Sequence, residues 1–442
     1  MKIAMRLLWM FLVAGTVILV SGAIYLFASG YQFNLSTQSL QGKGIIITNS
    51  YPNDSELIIN GKLEGVTPKT LYLSPGTYTV SIQKEGYTKW TKTYHIKKEV
   101  VYRTDALLFY LNPSLSPLTN RGVIRPTRSP SGDVVVYIKP QAAEQATTPL
   151  PSEEESSGIF LRSLGSRTLS LFSGTNLLLP FSQFPGRADL AKTEILFSPD
   201  EKNILVLFNA EDNTLITVYL ISIANPDSYL DVSLSYQTLL ERWDNETQDL
   251  REKIIEAQHQ KIQQALRKGA YLLQFSPDDK KLLYFGIGTV SLPRVINPPI
   301  QSTSPVTEVR NIRPGYFYVY DLKEDRNYEL NLFPQQSQTL LQSVTKLSQT
   351  QNTNQIDHVE RMLQRQSLFG SIAWFSNSKN LVQNQEDTIS MVEYDGKNRT
   401  VVYSGPFEQS LFGTTSDGQV LILTNLNPKR NSLPDLYAIS IK

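Results

Sequence analysis

The first pattern along the chain is an unbroken apolar run from Leu7 to Ala28, in which Thr16 and Ser21 are the only aliphatic hydroxyls. About 20 such residues, wound as a helix, cross the hydrocarbon layer of a bilayer. Lys2 and Arg6 precede the run and no charged residue follows it until Lys43. The positive-inside rule therefore predicts a single-pass transmembrane helix over residues 1–29, with a cytoplasmic N-terminus and everything from about Ser29 onward outside the cytoplasm. A cleavable signal peptide is the competing reading, because Phe27-Ala28-Ser29 offers small residues. Signal cores run about 7 to 15 residues, which favours an uncleaved anchor. Residues 30–42 then read as an uncharged spacer.

From Lys43 the pattern changes to short strands and tight turns. Gly44 to Thr48 alternates, Pro52-Asn53-Asp54 turns, and Leu57-Ile58-Ile59 leads into Asn60-Gly61, the dipeptide that best accepts the positive φ angles of a type I′ hairpin. Gly65-Val66-Thr67-Pro68 opens a strand ending at Leu71-Tyr72-Leu73, and Pro75-Gly76 turns again. Tyr78, Val80 and Ile82 then face one side and Thr79, Ser81 and Gln83 the other, the period of a half-buried strand. Gly86-Tyr87 closes it and Trp90 to Ile96 forms the last strand. This order resembles the PEGA domain, a small β-sandwich of exported bacterial and archaeal proteins, over about Lys43 to Val101. Of the tetrapeptide that names the family only Pro52 survives in Pro52-Asn53-Asp54-Ser55. The resemblance implies a spacer or adhesion-like module over 43–105, with no catalytic residue.

The remainder, 106–442, is repetitive. Ser129-Pro130-Ser131-Gly132 precedes Val134 to Ile138, Phe197-Ser198-Pro199-Asp200 precedes Ile204 to Phe208, and Phe275-Ser276-Pro277-Asp278 precedes Leu282 to Phe285. Degenerate copies stand at Phe375-Ser376-Asn377-Ser378 and Thr415-Ser416-Asp417-Gly418. Each is a turn leading into an apolar strand. Each is answered by a second strand, at Ile159-Phe160-Leu161, Val218-Tyr219-Leu220, Tyr318 to Leu322, Ile389 to Tyr394 and Leu436 to Ile439. Between Ser376 and Ser416 the period is about 40 residues, the size of a four-stranded propeller blade. The phrase resembles the WD40-like repeat of TolB-type β-propellers and implies five or six blades. Leu107 to Leu111 either completes the last blade or begins a sixth. The fold class is thus mainly β: a transmembrane helix, a PEGA-type sandwich and a propeller.

Insertions interrupt the repeats at about 140–157, 236–268, 292–314 and 334–367. The first is polar, with Glu153-Glu154-Glu155. Leu239 to Lys268 is helical, with Ile255, Ile262 and Leu266 on one stripe; Leu340, Val344 and Leu347, then Ile356, Val359 and Leu363, have similar spacing. Such helices either dock on the propeller rim or receive a partner helix.

Composition adds exclusions. Lysine plus arginine (42) balances aspartate plus glutamate (41), so the overall charge gives no electrostatic footprint for nucleic acid and no polybasic lipid-binding surface. Tyrosine at 22 and phenylalanine at 18 suit a β-rich body, and the absence of cysteine removes disulfides and thiol chemistry. Three histidines, His95, His259 and His358, stand apart; Asp200-Glu201 and Asp278-Asp279 fall in the repeated turn, where capping explains them. No Gly-x-Ser-x-Gly elbow, P-loop or dinucleotide fingerprint occurs. We expect no enzyme, no catalytic or metal-binding residue and no cofactor. Trp90, Trp243, Trp374 and Tyr316 to Tyr320 are the candidates for a glycan-stacking surface, whereas Phe197, Phe275 and Phe375 recur at one register as core residues do. The expected partners are the lipid bilayer and envelope proteins, with cell-wall glycan as the alternative.

Overall fold

A computed structural model of the chain describes residues 2–28, 31–34, 39–141, 157–164, 174–226, 228–333, 336–350, 370–385, 387–429 and 431–442. Two compact units result: Met1–Leu111 with Gln301–Val306, and Asn112–Ile300 with Thr307–Lys442.

The first unit begins with helix α1 (Lys2–Ala28). Its side chains from Trp9 to Tyr25 are exposed. Among the described residues, no helix is long and apolar enough to cross a membrane, so the structure does not show the transmembrane span expected over residues 1–29. The spacer forms a hairpin of β1 (Tyr31–Asn34) and β2 (Ser39–Gly42), in register from Tyr31↔Gly42 to Asn34↔Ser39. Polar and apolar residues alternate too weakly there for the sequence to announce a strand.

The sandwich contains β3 (Gly44–Tyr51), β4 (Glu56–Ile59), β5 (Lys62–Val66), β6 (Lys69–Leu73), β7 (Gly76–Gln83), β8 (Trp90–Ile96) and β9 (Val101–Leu107). One sheet has the order β6-β3-β9 and the other β5-β4-β7-β8. Asn60 (φ 50°) and Gly61 (φ 83°) make the expected hairpin turn. Val80 and Ile82 are buried among Ile46, Leu57, Trp90 and Tyr94, with Tyr78 at the edge of that core. At the Pro52 turn the Thr67 hydroxyl lies 2.5 Å from Ser50 Oγ and accepts the Ser55 amide at 3.3 Å. The Ser55 hydroxyl donates to the Pro52 carbonyl at 2.8 Å. This hydroxyl cluster holds the turn where the family tetrapeptide has diverged.

Strand β9 crosses the boundary near Asp105 expected from the sequence and pairs in parallel with β3, from Ile45↔Val101 to Tyr51↔Leu107. A parallel partner leaves no hairpin signal, and β9 turns small and polar residues inward, Thr104 and Ala106 among them. Leu108 joins the sandwich core, so Leu107 to Leu111 does not complete a blade. Because the first and last strands run in one direction, the chain enters this unit at one end and leaves at the other, about 25 Å away for strands of this length.

The second unit holds five four-stranded sheets among its described residues. Blade one is β11 (Ile124–Arg128), β12 (Val134–Lys139), β13 (Gly158–Ser163) and β14 (Thr175–Pro180); blade two is β15 (Glu194–Phe197), β16 (Asn203–Asn209), β17 (Leu215–Ser222) and β18 (Tyr229–Asp231). Blade three is β19 (Ala270–Phe275), β20 (Lys281–Gly286), β23 (Phe317–Asp321) and β24 (Arg326–Leu330), interrupted by the small pair β21 (Val290–Ser291) and β22 (Asn311–Ile312). Blade four is β25 (Ile372–Trp374), β26 (Asn380–Gln385), β27 (Thr388–Glu393) and β28 (Thr400–Ser404). Blade five combines β29 (Glu408–Thr414), β30 (Gln419–Thr424) and β31 (Asp435–Ser440) with β10 (Ser114–Pro117), the strand that opens the unit. The closing pairs run from Ser114↔Ser440 to Pro117↔Tyr437. Among the described residues the unit thus has five blades, the fifth completed by the strand that opens the unit. Its closing strand was illegible because Ser-Leu-Ser-Pro is only four residues with a single aliphatic side chain and a proline.

Helices α2 (Tyr236–Glu256) and α3 (Gln260–Gly269) occupy the passage from blade two to blade three. Leu240 and Trp243 of α2 pack on Leu205, Leu207 and Val218 of blade two. Ile262, Ala265 and Leu266 of α3 pack on Leu282, Tyr284 and Tyr318 of blade three. The apolar stripe is therefore spent inside the unit. It also spans two helices, since the chain bends between Glu256 and Gln260. Helix α4 (Ser337–Thr350) buries Val344. His358, Ile356, Val359 and Leu363 lie outside the described residues, as does most of the acidic insertion at 140–157.

Candidate functional site: the inner-strand turns

The repeated phrase joins the first two strands of each blade, so its five copies are equivalent turns at the ends of β11, β15, β19, β25 and β29. Local chemistry builds them. The Ser129, Ser198 and Ser276 hydroxyls accept the amides of Val134, Asn203 and Lys281 at 3.3, 3.0 and 2.9 Å. Ser198 donates to Asp200 at 2.7 Å and Ser276 to Asp278 at 2.6 Å, and these carboxylates also accept the Lys202 and Lys280 amides. Gly132, Glu201, Asp279, Ser378 and Gly418 supply the left-handed residue, with φ between 55° and 86°.

The hydrogen bond from Ser198, with help from Lys202, holds the Asp200 carboxyl below its ordinary range. Burial pushes Asp278 upward, but Ser276, Lys281 and Lys280 outweigh it and the net direction is down. In each paired-carboxylate candidate the first member, Asp200 or Asp278, is thus a turn cap. The register also corrects the sequence alignment of the fourth copy. Phe197 pairs with Ile204, Phe275 with Leu282, and Trp374, not Phe375, with Leu381. Phe375 occupies the place of Ser198, since its amide bonds to Asn380 as Ser198 bonds to Asn203.

Adjacent turns are tied together. Ser131 donates from its amide and its hydroxyl to the Glu201 carboxylate, the latter at 2.7 Å. The Asp278 amide donates to Ser378 Oγ at 3.1 Å, and Thr414 Oγ1 to the Trp374 carbonyl at 2.7 Å. At the position of Phe197, blade one carries Arg128, paired with Val135. Its guanidinium donates to the Thr414 carbonyl at 3.3 Å, and a Cβ on Gly132 or Gly413 would collide with it. Burial lowers the Arg128 pKa, against the pull of Glu201 and Asp133. Sequence reading passed over Arg128; the residue before each Ser-Pro phrase was the available signal.

The other candidates do not meet at these turns. His95 is exposed on β8 beside Thr77 Oγ1 at 2.9 Å. His259 is exposed and caps α3, its Nδ1 accepting the Lys261 amide at 3.2 Å. Trp90, Trp243 and Trp374 are at most 5% exposed, whereas Tyr316 is 38% exposed. Tyr316 stacks under Arg313, whose guanidinium carbon is 4.2 Å from the ring centre. Val295–Ile296 and Glu308–Arg310 are pinned to blade three through Asp325: Arg310 reaches Glu308 and Asp325 at 2.9 Å each, and Asp325 accepts the Val295 and Ile296 amides at 2.7 and 2.9 Å. Burial pushes the neighbouring Tyr318 phenol up to about 12. Among the described residues no group of three or more His, Cys, Asp or Glu is placed to hold a metal. The turn ring can offer hydrogen-bonding edges and a half-buried cation to a binding partner.

Residues 43–108 match the PEGA domain family. No curated protein matches the chain. Among solved structures the chain is similar to one described as TolB from Agrobacterium tumefaciens, at 10% identity and TM-score 0.18, covering 88% of this chain and 99% of that one. It is also similar to an acylaminoacyl peptidase of Pyrococcus horikoshii (13%, TM-score 0.19, 73% of this chain and 39% of that one). A third similar structure is dipeptidyl peptidase 4 of Porphyromonas gingivalis (10%, TM-score 0.19, 82% and 45%). Residues 43–108 thus form a sandwich that matches the PEGA domain, and the second unit is, among its described residues, a set of five four-stranded sheets with the strand order and register of propeller blades.

Proposed function

We propose that this is a membrane-anchored, extracytoplasmic scaffold of the bacterial cell envelope, in which the sandwich is a stand-off and the propeller binds an envelope protein without catalysis. The observation that carries the reading is the parallel pairing of β3 with β9. It makes the sandwich a module that receives the chain at one end and passes it on from the other, as a spacer between an anchor and a binding body requires. The anchor reading is supported by the sequence of α1, although no described helix is long and apolar enough to cross a membrane: the run from Leu7 to Ala28 is uncharged, and its side chains from Trp9 to Tyr25 are exposed, a surface that water disfavours and lipid accepts. Asp200 and Asp278 of the repeated turns act as caps, and Trp243 and Trp374 pack inside, which favours a protein partner over a stacked glycan.

Photo-crosslinking from the turns in intact cells tests the reading. Probes at the exposed Asp279 and Asp417 should capture one and the same envelope protein, while a probe at the exposed Lys253 of α2 should not. Capture of glycan alone, or turnover of a substrate by the purified exported part, would overturn it.

A further inference from the structure

We propose that the end of the sandwich where β3 begins is a docking surface for anionic phospholipid headgroups, with Lys43, Lys97 and Lys98 as its cations. The inference rests on the anchor reading of α1 and adds a second membrane contact to it.

The β1–β2 hairpin makes the surface available. Without it, the spacer could let the sandwich drift far from the helix. With Tyr31 paired to Gly42, their Cα atoms are about 5 Å apart, and Tyr31 lies three residues beyond Ala28, a reach of at most about 11 Å. The chain therefore returns to the helix end just as it reaches Lys43. Aromatics Tyr25, Phe27, Tyr31 and Phe33 cluster in the same stretch of sequence, the residue type that prefers the headgroup level.

The turn from β8 to β9 sits against Lys43. The Glu99 amide donates to the Lys43 carbonyl at 3.1 Å and the Ile45 amide to the Val100 carbonyl at 3.0 Å. The Lys97 carbonyl comes so near Gly44 that a Cβ there would be 2.5 Å from it. Tyr102 fixes the turn from the other side, its hydroxyl accepting the Lys97 amide at 3.2 Å and donating to the His95 carbonyl at 2.8 Å. Lys97 and Lys98 are exposed on this rigid turn, Lys43 is half-buried below it, Glu99 is its acid, and exposed His95 is engaged with Thr77. The far end of the sandwich mixes Asp54, Glu56 and Glu85 with Lys84 and Lys89. The positive bias thus belongs to the end that the hairpin holds beside the helix.

The test uses the full chain in nanodiscs of phosphatidylcholine, alone or with about 30% phosphatidylglycerol, and reads hydrogen exchange of the amides from Lys97 to Val100. Each lysine near an anionic surface is worth about fivefold in occupancy, so the two exposed lysines should slow exchange about 25-fold in the anionic discs, and about 0.5 M salt should erase the difference. Lys97→Glu with Lys98→Glu should abolish it while the Ile82 amide stays protected. Equal exchange in both discs, with the chain inserted, would overturn the docking surface and leave the anchor standing. A chain that fails to co-migrate with the discs would overturn both. Equal protection by dissolved glycerol phosphate would reassign the site to a soluble phosphate and also overturn the proposal.

Discussion

In the sandwich the first and last strands, β3 and β9, lie parallel, so the chain's entry and exit are at opposite ends. In the ring the first and last strands, β10 and β31, pair antiparallel, and Ser114 lies opposite Ser440. One module passes the chain along and the other closes it on itself. The difference teaches where each is vulnerable. The sandwich depends on a single core around Leu57, Val80 and Ile82. The ring spreads its burial over several seams and depends on one strand pairing to shut.

The sharpest break of the comparison is Ile82→Asp. It buries an unpaired carboxylate in a core position that is 0% exposed, at a cost of several kcal/mol. The sandwich should unfold while the ring keeps its own transition in calorimetry; the half-buried Tyr78→Asp should cost less. Loss of both units in one transition would show that they share a core.

Next comes Ala438→Pro, in a strand paired on both sides with Ser116 and Leu421. Proline removes a ladder bond and strains the neighbours, for about 3 kcal/mol or more. The ring should open and aggregate, and the sandwich should survive. Tolerance would mean that blade five does not close the ring.

Arg128→Ala sharpens the comparison within the ring. The seam between blades one and two is apolar, with Phe197 among Val136, Ile138, Ile159 and Ile204, whereas the closing seam adds to its own apolar cluster, which holds Val135, Phe160, Leu411 and Leu423, the Arg128 side chain against Gly413. The substitution should cost about 1 to 2 kcal/mol in urea unfolding. Arg128→Met, which keeps the stem, should recover part of it.

Smallest is Asp200→Ala, about 0.5 to 1 kcal/mol for a lost turn cap. Because the folded carboxyl titrates below its ordinary value, its contribution is complete above about pH 4 and fades as pH falls through the folded pKa. The variant and the parent should therefore converge in stability in acid. A difference that persists at pH 2 would show that the hydroxyl, not the charge, holds the turn.

Much of this architecture was legible in the sequence. Asn60-Gly61, the alternation through Ile82 and the Ser-Pro phrases announced hairpins and blades because turn chemistry is local. Strand β9, the β1–β2 hairpin and β10 were not legible, since each is defined by a partner far away or by polar residues that carry no period. The slip from Trp374 to Phe375 has the same cause: the phrase matched by letters, while the register is set by the pairing of Trp374 with Leu381. Arg128 was hidden because a lone arginine before a turn reads as surface until the glycines around it are seen.

The most direct measurement of the central claim, an anchored body held outside the cytoplasm, is protease digestion of intact spheroplasts. The account predicts that nearly all of the chain beyond Ala28 is removed while a membrane-bound stub remains. Protection of the propeller, or full-length protein wholly in the soluble fraction, would contradict it.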